Sequence, residues 1–332
     1  MMGMPFDRYE QTFTERTPHR IGSVYKKVIY REYTDATFRE LKSRPPDQLY
    51  LGILGPIMHA EVGDTIKVVF KNNATRPYSI HPHGVLYAKD SEGSAYNDGT
   101  AGASKVAGAV PPGATYTYTW RVPERAGPGP SDPSSVVWLY HSHVEDQRDV
   151  DARLVGAIVV TARGMAKPDG TPRDVDREIV ALFNMFDENQ SWYLDRNIAQ
   201  YAPAVKAAEK GSEIPVDLNG VYSLVGTAFA DSNFKFTVNG YLYADGPKMV
   251  MKRGERVRWY LLTVGNGINF HTPHWHGNTV LWDRQRTDVI ALSPAQMVTV
   301  DMVPDNPGTW LFHCHVADHM RAGMSAFYQV LP

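Results

Sequence analysis

The stretch WLYHSHV, residues 138–144, recurs as WLFHCHV, residues 310–316, about half the chain away. The first copy has Ser142 at its centre, and the second has Cys314, the single cysteine of the 332 residues. Three other stretches recur in the same order: VGDTIKVVFKNN with RGERVRWYLLTVGN, SIHPHG with HTPHWHG, and PPGATYTYTWRVPE with SPAQMVTVDMVPD. This ordered repeat predicts two similar structural units.

The residues within each unit are typical of β-strands. Runs such as TIKVVFKNN, TYTYTWRV, GAIVVTA and MVTVDMV are short and rich in β-branched and aromatic residues, and turn formers such as PPGA and PDNPG separate them. We therefore expect an all-β protein with two domains in tandem, residues 1–163 and 174–332, joined by a linker over residues 164–173. One inserted helix is predicted over residues 198–211.

Composition excludes several classes of protein. The net charge is −2 and no basic run stands out, so nucleic acid is not an expected partner. No apolar stretch has the length of a membrane span, and the first twenty residues lack the apolar core of a secretory signal. One cysteine excludes a disulfide within the chain, so the cysteine count leaves the compartment open.

Ten of the 12 histidines fall into four short clusters, and each cluster contains one His-x-His pair. Side chains on a strand alternate between its two faces, so both members of a pair project from the same face. The pairs are His81/His83, His141/His143, His274/His276 and His313/His315. Imidazole suits copper, zinc, iron and nickel, and eight imidazoles where two domains meet could hold two or three ions.

Strand alternation also predicts where the cysteine points. Cys314 lies between His313 and His315 and therefore faces the opposite side of its strand. The other candidate ligands near it are His271, His319 and Met324. Two imidazoles, a thiolate and a long axial thioether form a blue-copper electron-transfer site. We therefore expect a blue-copper site on the face of this strand opposite to the histidine pairs.

The first half lacks these donors. Aligned on the repeat, His271 corresponds to Tyr78, Cys314 to Ser142, and His319 to Gln147. Three ligand positions are replaced together, whereas the paired histidines persist. We therefore expect one blue-copper site per chain, in the second half.

These four clusters resemble those of the multicopper oxidases, over essentially the whole chain. HCHVADHMRAGM and HTPHWHG are the most specific motifs, and HPHG and HSH gain specificity from their order. The arrangement is similar to two-domain laccases with blue copper in domain 2 only, and the stretches EGSAYNDGT and VWLYHSHVEDQRDVDARLVGAIVV resemble ceruloplasmin domains. The resemblance implies two cupredoxin-like Greek-key β-barrels.

The resemblance also implies a role for each matching residue and four coppers per chain. Type 1 copper is matched by His271, Cys314, His319 and the axial Met324; type 2 copper by His81 and His274; and the type 3 pair by His83, His141, His143, His276, His313 and His315. In the family, a small reducing substrate gives single electrons at type 1 copper, and dioxygen is reduced to water at the trinuclear cluster. Water formation consumes protons, for which Asp98 is the first candidate and Glu145 a weaker one.

The resemblance and the ligand set leave four candidate functions. The leading interpretation is a laccase-like oxidase of phenols or similar reductants. The alternative is a metal oxidase of Fe(II) or Cu(I), for which Asp283, Asp288 and Asp318 are candidate cation-binding acids. A copper nitrite reductase is disfavoured because it normally carries blue copper in its first domain, and a non-enzymatic copper store because all ten clustered histidines and the cysteine are intact.

The expected assembly follows from the shared cluster. The histidine faces of two domains must meet, either within a chain or between chains. Two-domain relatives use the contact between chains, so the resemblance implies a homotrimer with clusters at its interfaces. By the same analogy the protein works outside the cytoplasm.

Overall fold

The computed structural model describes residues 5–206, 210, 228–265 and 269–332 and contains sixteen strands and six α-helices within them. The strands of the first half are β1 Met58–Glu61, β2 Thr65–Lys71, β3 His81–Pro82, β4 Thr115–Arg121, β5 Ser135–His141 and β6 Val155–Thr161. Those of the second half are β7 Arg177–Asp187, β8 Phe234–Val238, β9 Met249–Lys252, β10 Val257–Leu262, β11 Pro273–Trp275, β12 Val280–Trp282, β13 Gln285–Thr287, β14 Met297–Met302, β15 Gly308–Cys314 and β16 Ser325–Leu331. The all-β prediction is confirmed.

The helices are short and lie between strands. They are α1 Arg8–Thr14, α2 Ala103–Gly108, α3 Asp146–Asp151, α4 Leu194–Tyr201, α5 Ala228–Ser232 and α6 Ala317–Arg321, with 3₁₀ turns at Pro46–Leu51, Lys89–Ser91 and Glu124–Ala126. No helix of the described ranges is long and apolar enough to cross a membrane.

The predicted helix over residues 198–211 has the wrong bounds. Helix α4 begins at Leu194 and ends at Tyr201, because Pro203 has no N–H and disfavours helical backbone at Ala202. Residues 207–209 and 211 of that prediction lie outside the described residues.

The two halves repeat the same sheet topology. The first half has a sheet in the order β1-β6-β5-β3, and the second has one in the order β9-β16-β15-β11. The pair β2/β4 is antiparallel, as is β10/β14, and the latter pair continues into a sheet of order β13-β12-β14-β10-β7-β8. The last strand of the first half, β6, ends at Thr161, and the first strand of the second half, β7, begins at Arg177. The predicted linker at 164–173 lies between these two strands. The exact domain bounds stay a prediction.

The register of these strands brings the histidines together. His81 on β3 pairs with His141 on β5, and His274 on β11 pairs with His313 on β15. Cross-strand neighbours on one face lie close enough for their side chains to touch. The equivalent pairing in both halves confirms that the sequence repeat is a structural repeat.

The glycine after each His-x-His of the first and third clusters is required by the backbone and by a tryptophan. Gly84 has φ +76°, and Gly277 has φ +73°. A Cβ on Gly84 would lie 2.2 Å from the Trp138 ring, and one on Gly277 would lie 2.6 Å from the Trp310 ring. Trp138 lies on β5 and packs onto the turn that follows His81 and His83. Trp310 lies on β15 and packs onto the turn that follows the third cluster.

The halves share a continuous interior. Val137 and Leu139 of β5 are buried in the same apolar cluster as β7, β10 and β14. A polar contact crosses at the edge, where the buried Arg258 donates to Asp301 Oδ1 at 2.7 Å and to Ser135 Oγ at 2.8 Å. One face of the sheet that carries the first-half histidines thus packs against strands of the second half, which holds its strand ends in place.

Candidate metal centres

Four histidines of the first half converge at the ends of β3 and β5. This first-half group consists of His81, His83, His141 and His143. Nε2 of His83 lies 3.1 Å from Nε2 of His141, and the ring centres of His81 and His143 are 5.1 Å apart. His141 is buried and the other three are half-buried, so the group forms a partly open face.

The Nδ1 atoms of three of these imidazoles have acceptors. His81 Nδ1 donates to the carbonyl of Glu92 at 2.7 Å, and His141 Nδ1 donates to the carbonyl of Ser142 at 3.0 Å. His143 Nδ1 lies 3.1 Å from Ser94 Oγ. A ligating histidine usually donates its second ring N–H to such a partner, so these rings present Nε2 to an ion.

Four histidines of the second half form an equivalent arrangement. This second-half group consists of His274, His276, His313 and His315. Nε2 of His313 lies 3.2 Å from His274 Nδ1 and 3.0 Å from His276 Nε2, and the ring centres of His274 and His315 are 5.1 Å apart. His313 Nδ1 donates to the carbonyl of Cys314 at 2.8 Å.

Burial and mutual repulsion favour the neutral form of two imidazoles in each group. Burial lowers the pKa of His83 to about 4 and that of His313 to about 4, and it also lowers the pKa of His81 and of His274. Neighbouring imidazoles add to the effect on each of them. The neutral ring is the form that binds a metal ion, so both groups are suited to one.

A third group lies on the opposite side of β15. This thiolate site consists of His271, Cys314 and His319, all buried. Sγ of Cys314 lies 3.9 Å from His271 Nδ1 and 3.7 Å from His319 Nδ1. The predicted reversal of face between Cys314 and its two histidine neighbours is what separates this site from the second-half group.

The thiolate site is held by its surroundings. His271 Nε2 donates to Asn269 Oδ1 at 2.9 Å, which turns Nδ1 toward the sulfur. The backbone N–H of Thr272 donates to Cys314 Sγ at 3.3 Å. Met324 is buried, its carbonyl accepts from the N–H of Cys314 at 3.1 Å, and its N–H donates to the carbonyl of His319 at 2.9 Å. The backbone of Met324, the predicted axial residue, therefore connects the positions of Cys314 and His319.

Burial alone opposes thiolate formation. It raises the pKa of Cys314, lowers that of His271 to about 2 and lowers that of His319 to about 4. A bound metal cation reverses this for the thiol, because coordination deprotonates it. One soft sulfur and two neutral nitrogens directed at one point suit copper, so the donor set fits the metal that the sequence predicts.

The predicted proton carriers do not contact an imidazole in the described residues. Asp98 lies 2.7 Å from Lys89 Nζ and accepts from Thr100, and its pKa is lowered by the hydrogen bond to Lys89. Glu145 is exposed. The role of either acid in proton transfer stays a prediction.

Two carboxylates that the sequence did not place beside the histidine groups lie close to them. Asp146 Oδ1 lies 3.0 Å from His141 Nδ1, and Asp288 Oδ2 lies 3.6 Å from His274 Nε2. The first follows the HSH motif by three residues, but only the start of α3 brings it back to the ring. Asp288 is a candidate cation-binding acid, but nothing in the local sequence predicts its contact with His274.

The two four-histidine groups do not touch each other. Among these eight histidines, each ring contact and each short nitrogen–nitrogen distance found in the described part of the chain joins members of the same group. A single eight-histidine site is therefore not assembled by the described residues of one chain.

Comparison with known proteins identifies the family. Two family models described as "Multicopper oxidase" match residues 51–164 and 214–332. The chain belongs to the multicopper oxidase family, a family that implies copper.

Curated proteins similar to this chain include a ferroxidase, a hephaestin and a ceruloplasmin. Ferroxidase HEPHL1 of Homo sapiens is 43% identical over 325 residues, which is 98% of this chain and 27% of that protein. Hephaestin of Mus musculus is 43% identical over 328 residues, with 98% and 26% covered, and ceruloplasmin of Homo sapiens is 39% identical over 322 residues, with 96% and 27% covered. The chain thus spans about a quarter of the length of these relatives.

Solved structures confirm the fold. One titled "Crystal structure of multicopper oxidase" has a TM-score of 0.57 at 22% identity and covers 84% of this chain and 79% of its own. The blue copper oxidase from Nitrosomonas europaea has a TM-score of 0.57 at 21% identity, with 92% and 83% covered. The sheets of both halves are therefore cupredoxin-like, as the family resemblance implies.

Proposed function

We propose that this protein is a metal oxidase, which takes single electrons from Fe(II) or Cu(I) and reduces dioxygen to water. The observation that carries the proposal is the segment His313-Cys314-His315, which contributes to two adjacent groups of metal donors. The ferroxidase relatives, 42–43% identical over nearly the whole chain, favour this alternative over the laccase-like interpretation.

Copper at these positions would supply the one-electron redox chemistry. We propose that each chain contributes ligands for about four ions, one in the thiolate site and the rest in the histidine groups. Type 1 copper would be held by His271, Cys314, His319 and Met324; type 2 copper by His81 and His274; and type 3 copper by His83, His141, His143, His276, His313 and His315.

The protein holds the two sites at a fixed separation and excludes water from the thiolate site. Burial of Cys314 and His271 excludes water from the thiolate site. The His313 ring, one residue away, faces the second-half group, so the covalent backbone links the two. Short covalent linkage between redox groups is an effective arrangement for electron transfer because it fixes both distance and orientation.

Electrostatics near His319 support a small cationic substrate. Of the three acids considered, Asp318 directly precedes His319 and is exposed, whereas Asp288 lies beside His274 and Asp283 lies in the turn between β12 and β13. An exposed carboxylate next to a buried ligand attracts a divalent or monovalent cation. We propose Asp318 as a cation-binding residue.

We also propose that copies of the chain assemble head to tail into a closed ring of three, so that the first-half group of one copy meets the second-half group of the next. The separation of the two groups within one chain supports this. Light scattering of the copper-loaded protein tests it, and an active, fully metallated monomer would exclude it.

The function is tested by oxygen consumption with Fe(II), with Cu(I) and with a bulky phenol. We expect kcat/KM for Fe(II) to exceed that for the phenol by about tenfold or more, since a cation site discriminates by charge. Cys314→Ser and buffer alone correct for spontaneous oxidation of iron. Turnover of the phenol without turnover of Fe(II) would favour the laccase-like interpretation instead.

Asp318→Asn and Asp283→Asn form a matched pair for the substrate. Both residues are exposed acids of the second half. We expect Asp318→Asn to raise KM for Fe(II) several-fold and to leave the phenol rate unchanged, because only cation binding uses the carboxylate. Equal effects of the two substitutions would count against a specific role of Asp318.

A further inference from the structure

Ser142 occupies in the first half the position that Cys314 occupies in the second, and both side chains have the same backbone contact. The N–H of Ser79 donates to Ser142 Oγ at 3.1 Å, as the N–H of Thr272 donates to Cys314 Sγ at 3.3 Å. Both Ser142 and Cys314 are completely buried. The backbone around Ser142 thus matches that around Cys314, although only the second half offers a sulfur donor.

The group that faces the side chain differs. Cys314 Sγ faces two imidazoles, whereas Ser142 Oγ donates to Asp149 Oδ2 at 2.7 Å. Asp149 belongs to α3 and is 1% exposed. A buried carboxylate is costly unless its oxygens are hydrogen-bonded, so the partners of this one decide whether it is stable there.

Asp149 has four donors. Besides the Ser142 hydroxyl, Oδ2 accepts from the N–H of Val144 at 3.1 Å and from the N–H of Glu145 at 3.2 Å. Oδ1 accepts from Trp192 Nε1 at 2.9 Å. Hydrogen bonds to an ionised carboxylate are stronger than neutral ones, so this set fixes the backbone from residue 142 to residue 145.

The same network reaches both histidine segments of the first half. Ser142 separates His141 from His143, and Ser79 precedes His81 by two residues. Ser79 Oγ also accepts from the N–H of His143 at 3.0 Å. Through Ser142, Asp149 is therefore connected to the segment of β3 as well as to that of β5.

We propose that Asp149 is a positioning residue that replaces a metal ion in the first half and orients His141 and His143 for copper. In the second half a metal can bind the side chain between the two histidines; in the first half the carboxylate accepts a hydrogen bond from that side chain. The inference rests on the proposed function, because it concerns ligands of the proposed histidine cluster.

The test compares Asp149→Asn with Asp151→Asn in the full-length protein loaded with copper. Asp151 is a buried carboxylate of the same helix that accepts from Gln147 and from the N–H of Asp187, with no described bond to either histidine segment. Copper per chain, the visible band of the Cys314 thiolate and the electron paramagnetic resonance signal of type 2 copper are measured, together with Tm.

We expect Asp149→Asn to keep the thiolate band but to fall from about four coppers per chain toward about two, because His141 and His143 are proposed ligands of the type 3 pair. Asp151→Asn should keep every copper. If Asp149→Asn does not fold, Ser142→Ala removes the linking hydroxyl alone and should weaken cluster copper binding by about 10-fold to 100-fold.

The outcomes separate the two proposals. Full cluster copper in Asp149→Asn, or an equal loss in Asp151→Asn, overturns the positioning role alone. A wild-type protein that binds copper only at the thiolate site overturns the proposed histidine cluster and this inference with it.

Discussion

The Nδ1 atoms of His271 and His319 face each other across 3.2 Å, with the sulfur of Cys314 within 4 Å of both. Burial keeps both imidazoles neutral, so two nitrogen atoms and a sulfur converge where little water can compensate them. Three donors in this arrangement are stabilised by a cation between them. The residues that surround them should therefore control metal binding as strongly as the ligands do.

Replacement of the sulfur tests the thiolate site directly. We expect copper-loaded Cys314→Ser to lose the intense visible band of thiolate–Cu(II) and the activity, because serine supplies no soft anionic ligand. The copper of the histidine groups should remain, so the content should fall by about one ion per chain. Absorption spectra and metal analysis measure both quantities. A colourless wild-type protein with full copper would show that Cys314 is not a ligand.

Asn269 should set the orientation of His271. Its Oδ1 accepts from His271 Nε2 at 2.9 Å and from the N–H of Met185 at 2.7 Å. We expect Asn269→Ala to weaken copper binding at the thiolate site by about 10-fold to 100-fold, since the ring loses the partner that fixes it. The buried N–H of Met185 also loses its acceptor, which should cost about 1–3 kcal/mol of unfolding free energy.

Asn269→Asp is the matched control for this prediction, because aspartate retains an acceptor oxygen at the same distance from the backbone. Copper titration followed by the visible band, together with chemical unfolding of the metal-free protein, separates binding from stability. Wild-type affinity in Asn269→Ala would exclude an orienting role.

The strands and the ligand pattern could be predicted because both depend on local alternation. Nine long strands, including β5 and β15, coincide with runs of β-branched and aromatic residues, and the His-x-His spacing gives the shared face without any knowledge of the fold. Strands of two or three residues, such as β3 and β11, are too short to produce a pattern. In the sequence, only the histidines that these two strands carry mark their positions.

The supporting residues could not be predicted for a different reason. Ser94 and Asp146 reach the first-half group from a loop and from a helix, and their positions depend on how those segments fold back onto the sheet. Asn269 lies two residues before His271, yet an Asn in a loop has many possible roles. The substrate is also not encoded in the ligand motifs, and the relatives rather than the motifs favour a metal ion over a phenol.

The glycines that follow two of the histidine pairs should be intolerant of any side chain. Gly277→Ala and Gly84→Ala combine a positive φ with a clash against Trp310 or Trp138. Gly99, with φ +77° and no atom near its hypothetical Cβ, is the matched control. We expect Gly99→Ala to cost about 1 kcal/mol and the other two about 3 kcal/mol or more, measured by urea unfolding. Equal costs at all three positions would mean that the tryptophan contacts are unimportant.

The buried carboxyl of Asp151 should make stability depend on pH. Burial raises the pKa of Asp151 to about 7, above the value of an unfolded carboxyl. Below about pH 4 both states are protonated, whereas between about pH 4 and pH 7 the unfolded chain releases a proton that the folded chain keeps. The unfolding free energy should therefore fall as pH rises through this window, by at most about 1.4 kcal/mol per pH unit from this group.

Asp151→Asn isolates that contribution because the amide keeps an acceptor for the N–H of Asp187 and carries no charge at any pH. We expect the unfolding free energy of the metal-free variant to vary less between pH 4.5 and pH 7 than that of the wild-type protein. Asp187, whose pKa burial raises to about 6, contributes with the same sign and remains in both proteins, so the difference between the two curves belongs to Asp151 and to its repulsion with Asp187. Parallel curves for the two proteins would show that Asp151 ionises normally in the folded state.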